Sequence, residues 1–129
     1  MIFLDASFLI SLIVNDHKNF ERAKKIYKKI ENEEKIISKL VITEVITVLD
    51  SNLKVDEELL KSTYKYLNED FQVIDDYPFF NQAFDEVLNQ NHLGFFDCMY
   101  ISLMKILEIN KIASFDKAFN KIKELTVIS

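Results

Sequence analysis

Short apolar runs alternate with longer helical ones along this chain, and that alternation dictates its fold class. "IFL" (2–4), "KIIS" (35–38), "FQVID" (71–75), "KIASF" (111–115) and "TVIS" (126–129) read as short buried strands. The residues between them read as helices. "ASFLISLIV" (6–14) is apolar enough to pack on a sheet. Residues 17–34 carry Phe20, Ala23, Ile26, Tyr27 and Ile30 on one stripe, with Asp16 placed as the N-cap. Residues 40–53 and 55–70 follow as helices, the second capped by Asp56. Residues 77–91 have Pro78 in the first turn, residues 95–110 begin after Gly94, and 117–125 make a last short helix. Strands alternating with helices predict an α/β fold, a parallel sheet with helices on both faces. Right-handed crossovers limit its topology, and ligands of such sheets bind beyond the carboxyl ends of the strands.

Only one Gly and one Pro interrupt 129 residues, and there is no repeat, low-complexity tract or linker. We therefore expect one domain spanning 1–129, with short connections and one sizeable core. No apolar run reaches the roughly 18 residues of a membrane span. The opening residues do not read as a signal peptide, because no basic stretch precedes the short apolar run. Cys98 is the lone cysteine, so no internal disulfide can form and a reducing cytoplasm is the expected compartment. The formal net charge of −5 argues against a sequence-independent nucleic-acid coat, which would be basic. An acidic chain can still act on nucleic acid if its negative charge is gathered in a metal site.

Four carboxylates fit that condition. Asp5 ends the first strand and Asp116 the fourth, so both lie on the carboxyl edge of the sheet. Glu44 lies in the opening turns of the helix that leaves the second strand. Asp97 lies at the start of a helix that descends antiparallel into the fourth strand. Both helices must therefore begin at the same edge. Asp97 shares a helical stripe with Ile101 and Met104, while Ser102, Lys105 and Glu108 mark the wet face. Glu44 has Val41 and Val48 as its neighbours. Two carboxylates ~4 Å apart repel by roughly 4 kcal/mol at an effective dielectric near 20, so a cluster of four needs cations. None of these segments offers Arg or His. An all-oxygen donor set suits Mg²⁺ or Mn²⁺; Ca²⁺ fits by charge but is a poor choice for phosphoryl chemistry. Taken singly, Asp5 and Asp116 could be helix caps, and Glu44 and Asp97 dipole partners. Convergence of all four on one edge favours the metal reading.

With those residues in place, the chain resembles the PIN domain, and most of all the small VapC-type ribonuclease toxins. The resemblance covers essentially the whole sequence. "FLDASFLISL" resembles the opening block, with the hydroxyl residue Ser7 two positions after the Asp. "SKLVITEVITVL" carries Glu44, "LGFFDCMYISLMK" carries Asp97, and "IASFDKAF" carries Ser114 two before Asp116. The resemblance implies a three-layer fold with a five-stranded sheet in the order 3-2-1-4-5. It implies a Mg²⁺- or Mn²⁺-dependent endoribonuclease leaving 5′-phosphate and 3′-hydroxyl ends. Asp5, Asp97 and Asp116 would hold metal, with Glu44 direct or through water, and Ser7 and Ser114 would position metal, water or phosphate. It also implies a homodimer held inactive by a small antitoxin. Two departures stand out. Ala118 occupies a position where many relatives carry a further acid, and Cys98 stands where a small Ala is usual, as structural filler.

Other expectations come from the residues alone. Lys39 and Lys117, beside the proposed site, are candidates for RNA backbone contacts. Lys24, Lys25, Lys28 and Lys29 form a basic helix face, read as solvated rather than as a phosphate-steering patch. His17 and His92 fall in no motif and are expected at the surface. Phe79, Phe80, Phe84, Phe95 and Phe96 are expected mainly in the core, with a homodimer interface as the alternative. The competing functions are a PIN nuclease without antitoxin, a non-catalytic binding module, and an aspartyl-phosphate phosphatase. The last usually shows a second Asp where Ser7 stands.

Overall fold

The central strand of the sheet is apolar and inaccessible to solvent on both faces, as a strand covered by two helical layers must be. It is β1 (Ile2–Leu4), and in this computed structural model, which describes residues 1–89 and 93–129, all three of its side chains are fully buried. β1 pairs in parallel with β2 (Lys35–Ser38) on one side and β4 (Lys111–Ala113) on the other. β3 (Gln72–Ile74) extends the sheet beyond β2, and β5 (Thr126–Ile128) beyond β4. The order is 3-2-1-4-5, with every pairing parallel.

The connections are helical. α1 (Ala6–Ile13) and α2 (Phe20–Lys29) link β1 to β2, and α3 (Lys39–Thr47) and α4 (Glu57–Glu69) link β2 to β3. α5 (Phe80–Asn89) and α6 (Phe95–Ile106) link β3 to β4. The connections starting at β1 and β2 move one way across the sheet, and the later ones move the other way. Right-handed crossovers then send α1–α4 to one face and α5 and α6 to the opposite face. This is the three-layer α/β arrangement implied by the resemblance.

Several local expectations change. The helix after residue 17 starts at Phe20, and its N-cap is Asn19 rather than the exposed Asp16. A turn intervenes, in which the Asn19 N–H donates to His17 Nδ1 and the Phe20 N–H to the His17 carbonyl. Residues 40–53 are not one regular helix: after Thr47 the chain widens into a π-helical turn over Val48–Asn52, which keeps Leu49 buried. Residues 117–125 form only a 3₁₀ turn, Lys117–Lys121. Phe119 and Ile122 are both buried there at a spacing of three, the period at which 3₁₀ side chains align. Ser102 is buried, not on a wet face, because α5 packs across that side of α6; among the described residues its hydroxyl has no partner.

Four of the five phenylalanines expected mainly in the core lie outside it. Phe79 is buried, but Phe80, Phe84, Phe95 and Phe96 are between 36% and 52% exposed. Along α5, Ala83 and Val87 turn inward, whereas Phe80, Phe84 and Leu88, spaced by four, make an outward apolar stripe. Phe80, Phe95 and Phe96 line an apolar groove of about 250 Å³ with Leu40 and Met99. Among the described residues, no helix is long and apolar enough to cross a membrane.

Candidate active site

In this sheet order the chain's direction of travel reverses between β1 and β4. That leaves a crevice at their carboxyl ends, the usual place for a ligand. Asp5 follows β1 directly and Ser114–Asp116 follow β4, so the two walls of the crevice come from positions 5 and 114–116. Asp5 is buried and is the N-cap of α1. Its Oδ1 accepts from the Phe8 N–H (3.1 Å) and the Ser7 hydroxyl (2.8 Å), and its Oδ2 accepts from the Ser114 hydroxyl (2.7 Å).

Both hydroxyls are themselves fixed. Ser7 Oγ accepts from the Phe115 N–H at 2.9 Å, and Ser114 Oγ accepts from the Asp116 N–H at 3.0 Å. The arrangement stitches the end of β1 to the end of β4 and sets the Asp5 rotamer. An ionised carboxylate can accept about four hydrogen bonds, and three are used. The cap reading of Asp5 is therefore correct but incomplete, since one acceptor direction remains. Asp116 is likewise a cap: its Oδ1 accepts from the Ala118 N–H at 3.0 Å while the side chain stays exposed.

The other two carboxylates enter from helices. Asp97, in the first turn of α6, is half-buried, and so is Glu44 on α3. The Tyr100 hydroxyl, one helical turn after Asp97, donates to Glu44 Oε1 and ties α6 to α3. Burial pushes the Asp97 carboxyl up to about 7, helped by the negative charges of Asp116, Asp5 and Glu44. Burial also raises Asp5 to about 6 against the pull of its hydrogen bonds, with Asp116 adding to the rise. Glu44 is raised by burial and by Asp116, with the Tyr100 hydroxyl opposing.

All four are thus electrostatic neighbours. None forms an ion pair with a lysine, arginine or histidine among the described residues. Neither do any three His, Cys, Asp or Glu side chains among those residues already stand close enough to grip a metal ion. Gripping one would require the carboxylates to draw closer together than they stand. The donor chemistry fits a hard divalent cation: oxygen ligands only, crowded enough that their charged forms are disfavoured.

The sequence profile of the PIN domain family matches residues 2–125. The chain belongs to the PIN domain family. Sequence comparison with curated proteins gives no match. Solved structures are similar in fold at low identity. One is Mycobacterium tuberculosis VapC20, described as a sarcin-ricin loop cleaving toxin, with a TM-score of 0.84 at 18% identity over 95% of each chain. Another is a DNA-bound VapBC from Salmonella typhimurium, at 0.67 and 15% identity over 98% of this chain and 96% of that one. A third is VapBC2 from Rickettsia felis bound to a promoter fragment, at 0.66 and 19% over 99% and 98%.

Other residues of this PIN domain fall as follows. Lys39 is exposed and reaches Asp75 at 3.8 Å, a surface pair of small worth. Lys117 is exposed beside Asp116. His17 is half-buried in the turn before α2. His92 lies outside the described residues. Cys98 is fully buried, and burial together with Glu86 and Asp97 raises its thiol, as suits inert filler.

Two residues near the site escaped the sequence reading. Tyr100 is one, although its spacing of three from Asp97 puts both on one side of α6. Asp76 is the other, just past β3 on the same edge. It is buried, its Oδ1 accepts from the Leu40 N–H at the start of α3, and its Oδ2 has no hydrogen-bond partner among the described residues. The rule that singled out Asp5 and Asp116, an acid where a strand meets the carboxyl edge, would have reached it too.

Proposed function

We propose that this PIN domain is a Mg²⁺- or Mn²⁺-dependent endoribonuclease and the toxin of a VapBC-type pair, working in the cytoplasm, where its lone thiol stays reduced. The observation that carries the reading is the electrostatic crowding of Asp5, Glu44, Asp97 and Asp116 with no cationic side chain among the described residues paired to any of them. Asp5, Asp97 and Asp116 would hold the ion, and Glu44 would do so directly or through water. A bound divalent ion supplies a water activated for in-line attack on a phosphodiester and neutralises charge on the attacking and leaving oxygens. The rest is the chain's own work. Ser7 and Ser114 hold Asp5 in one rotamer, so the ligand closest to the sheet needs no reordering when substrate arrives. The Tyr100 hydroxyl donates to Glu44 and would keep that carboxylate in place for the ion. Lys117, exposed beside Asp116, would meet RNA backbone charge, with Lys39, which reaches Asp75, a weaker candidate.

The test uses the purified chain on structured RNAs with Mg²⁺, Mn²⁺ or chelator. Cleavage is expected only with divalent ion, leaving 5′-phosphate and 3′-hydroxyl ends. Intact RNA under both metals, in a preparation shown to be folded, would sink the proposal.

The outward stripe of α5 and its groove are our candidate for a homodimer interface, leaving the crevice for an antitoxin. Contiguous apolar exposure of this kind is rare on a monomer. Light scattering should give twice the chain mass for the wild type and the single-chain mass for Phe84→Glu. A wild type that stays monomeric at tens of micromolar would exclude that interface.

A further inference from the structure

A depression of about 400 Å³ opens beside the carboxylate crevice and shares Ser114 and Asp116 with it. Its remaining wall is made by Lys18 and Asn19 from the turn before α2, Arg22 from the first turn of α2, Phe115, Lys117 and Asn120 from the segment after β4, and Ser129. Arg22 is the only arginine in the chain. Its guanidinium lies over the Phe115 ring, 5.8 Å from the centroid, so it is drawn along the depression's wall. Lys18, Arg22 and Lys117 are exposed, and among the described residues none of them forms an ion pair. Lys24, Lys39, Lys61, Lys105 and Lys111 each reach a carboxylate. In a chain of net charge −5, the three cations outnumber the one acidic side chain of this lining, Asp116, so the concavity carries a local excess of positive side chains.

We propose that this depression is a nucleotide subsite, taking the nucleotide next to the scissile phosphate of a single-stranded RNA segment. The assignment rests on the nuclease reading above. The cations would receive the phosphate, Arg22 with its planar fork and the lysines as point charges. The Arg22–Phe115 pair offers a plane for a base, and the Asn19 and Asn120 amides can donate to and accept from base edges. An acidic protein segment would use the cations but not the stacking plane. Continuity with the crevice through Ser114 and Asp116 also favours the strand being cleaved.

The experiment measures fluorescence anisotropy of a short single-stranded RNA oligonucleotide bound to the full chain carrying Asp5→Asn, across a salt series. Adding Arg22→Gln should weaken binding about tenfold and reduce the salt slope by about 0.7, the contribution of one single-strand phosphate contact. Arg22→Lys should recover only part of the affinity, because it restores charge without the plane. Lys65→Gln on α4, the same change of charge, should leave binding as it was. Unchanged affinity and slope with Arg22→Gln would overturn the subsite, as would an equal loss with Lys65→Gln. So would a variant that binds RNA normally but no longer binds a protein partner of the wild type. The two readings fail separately. If the wild type cleaves RNA and Arg22→Gln changes neither KM nor affinity, the subsite is wrong and the nuclease stands. If the wild type cleaves nothing while RNA binding depends on Arg22, the nuclease is wrong, the assignment next to a scissile phosphate falls with it, and the depression remains only as a site that binds single-stranded RNA.

Discussion

Replacing Asp5 with Asn lowers RNA cleavage by about a thousandfold or more, on the scale of losing a primary metal ligand, while leaving the metal-free thermal midpoint near pH 8 unchanged or higher. The two halves of this expectation come from one geometry. Asp5 is buried, and its pKa is pushed up to about 6 by that burial despite three donors. Keeping it ionised at pH 8 therefore costs about 3 kcal/mol relative to the unfolded chain. Asn removes that cost and keeps most of the contacts. Its Oδ1 still accepts from the Phe8 N–H and the Ser7 hydroxyl, and its Nδ2 faces Ser114 Oγ, which can accept in place of donating. What Asn lacks is the negative charge that a divalent ion would require. Matched measurements of cleavage rate and of melting by circular dichroism decide the matter. A midpoint lower by more than about 4 °C, on the order of 1 kcal/mol for a chain of this size, would make Asp5 chiefly a structural cap. A variant that still cleaves at a tenth of the wild-type rate would remove it from the metal site.

That reading of Asp5 was open to sequence reasoning because strand ends are the best-defined points in an α/β chain. A polar residue closing an apolar run must lie at the carboxyl edge, so Asp5 and Asp116 could be placed without coordinates. Helix starts extended the logic to Glu44 and Asp97. The strand order could not be obtained this way, since five short apolar runs pair equally well in several orders; it came with the family resemblance and agrees with the observed register. The Phe-rich stretch failed for a different reason. Residues 80, 84 and 88 and residues 83 and 87 are both apolar stripes on one helix, and nothing in the pattern says which faces the core. The structure buries the smaller pair and exposes the larger side chains. Arg22 and Phe115 meet across 93 positions of sequence, as do Tyr100 and Glu44 across 56. Contacts of that range are set by the sheet order and by helix rotation, neither of which is written locally.

The second large effect is a metal-induced stabilisation that grows with pH. Asp5 and Asp97 are raised to about 6 and about 7, each mainly by burial, and Glu44 is raised in the same direction. A carboxyl whose folded pKa lies above its unfolded value adds stability that is fully present below the unfolded value, near 4, and is lost as pH rises through the folded value. The metal-free protein should therefore lose stability from this cluster between about pH 4 and pH 7, titrating as a coupled unit rather than as separate sites. A divalent ion acts in the opposite sense, because it binds the ionised cluster and must displace protons where they are still held. Mn²⁺ at a hundred times its dissociation constant would stabilise by about 2.7 kcal/mol, a rise of several degrees in the melting midpoint at pH 8. At pH 5 the same concentration should give little or no rise, and Asp97→Asn should flatten the difference between the two. Magnesium or manganese shifts of equal size at pH 5 and pH 8 would mean that ions bind elsewhere on the acidic surface. The sign of this dependence separates the site from general charge screening, which stabilises an acidic chain without needing these particular carboxyls to give up their protons.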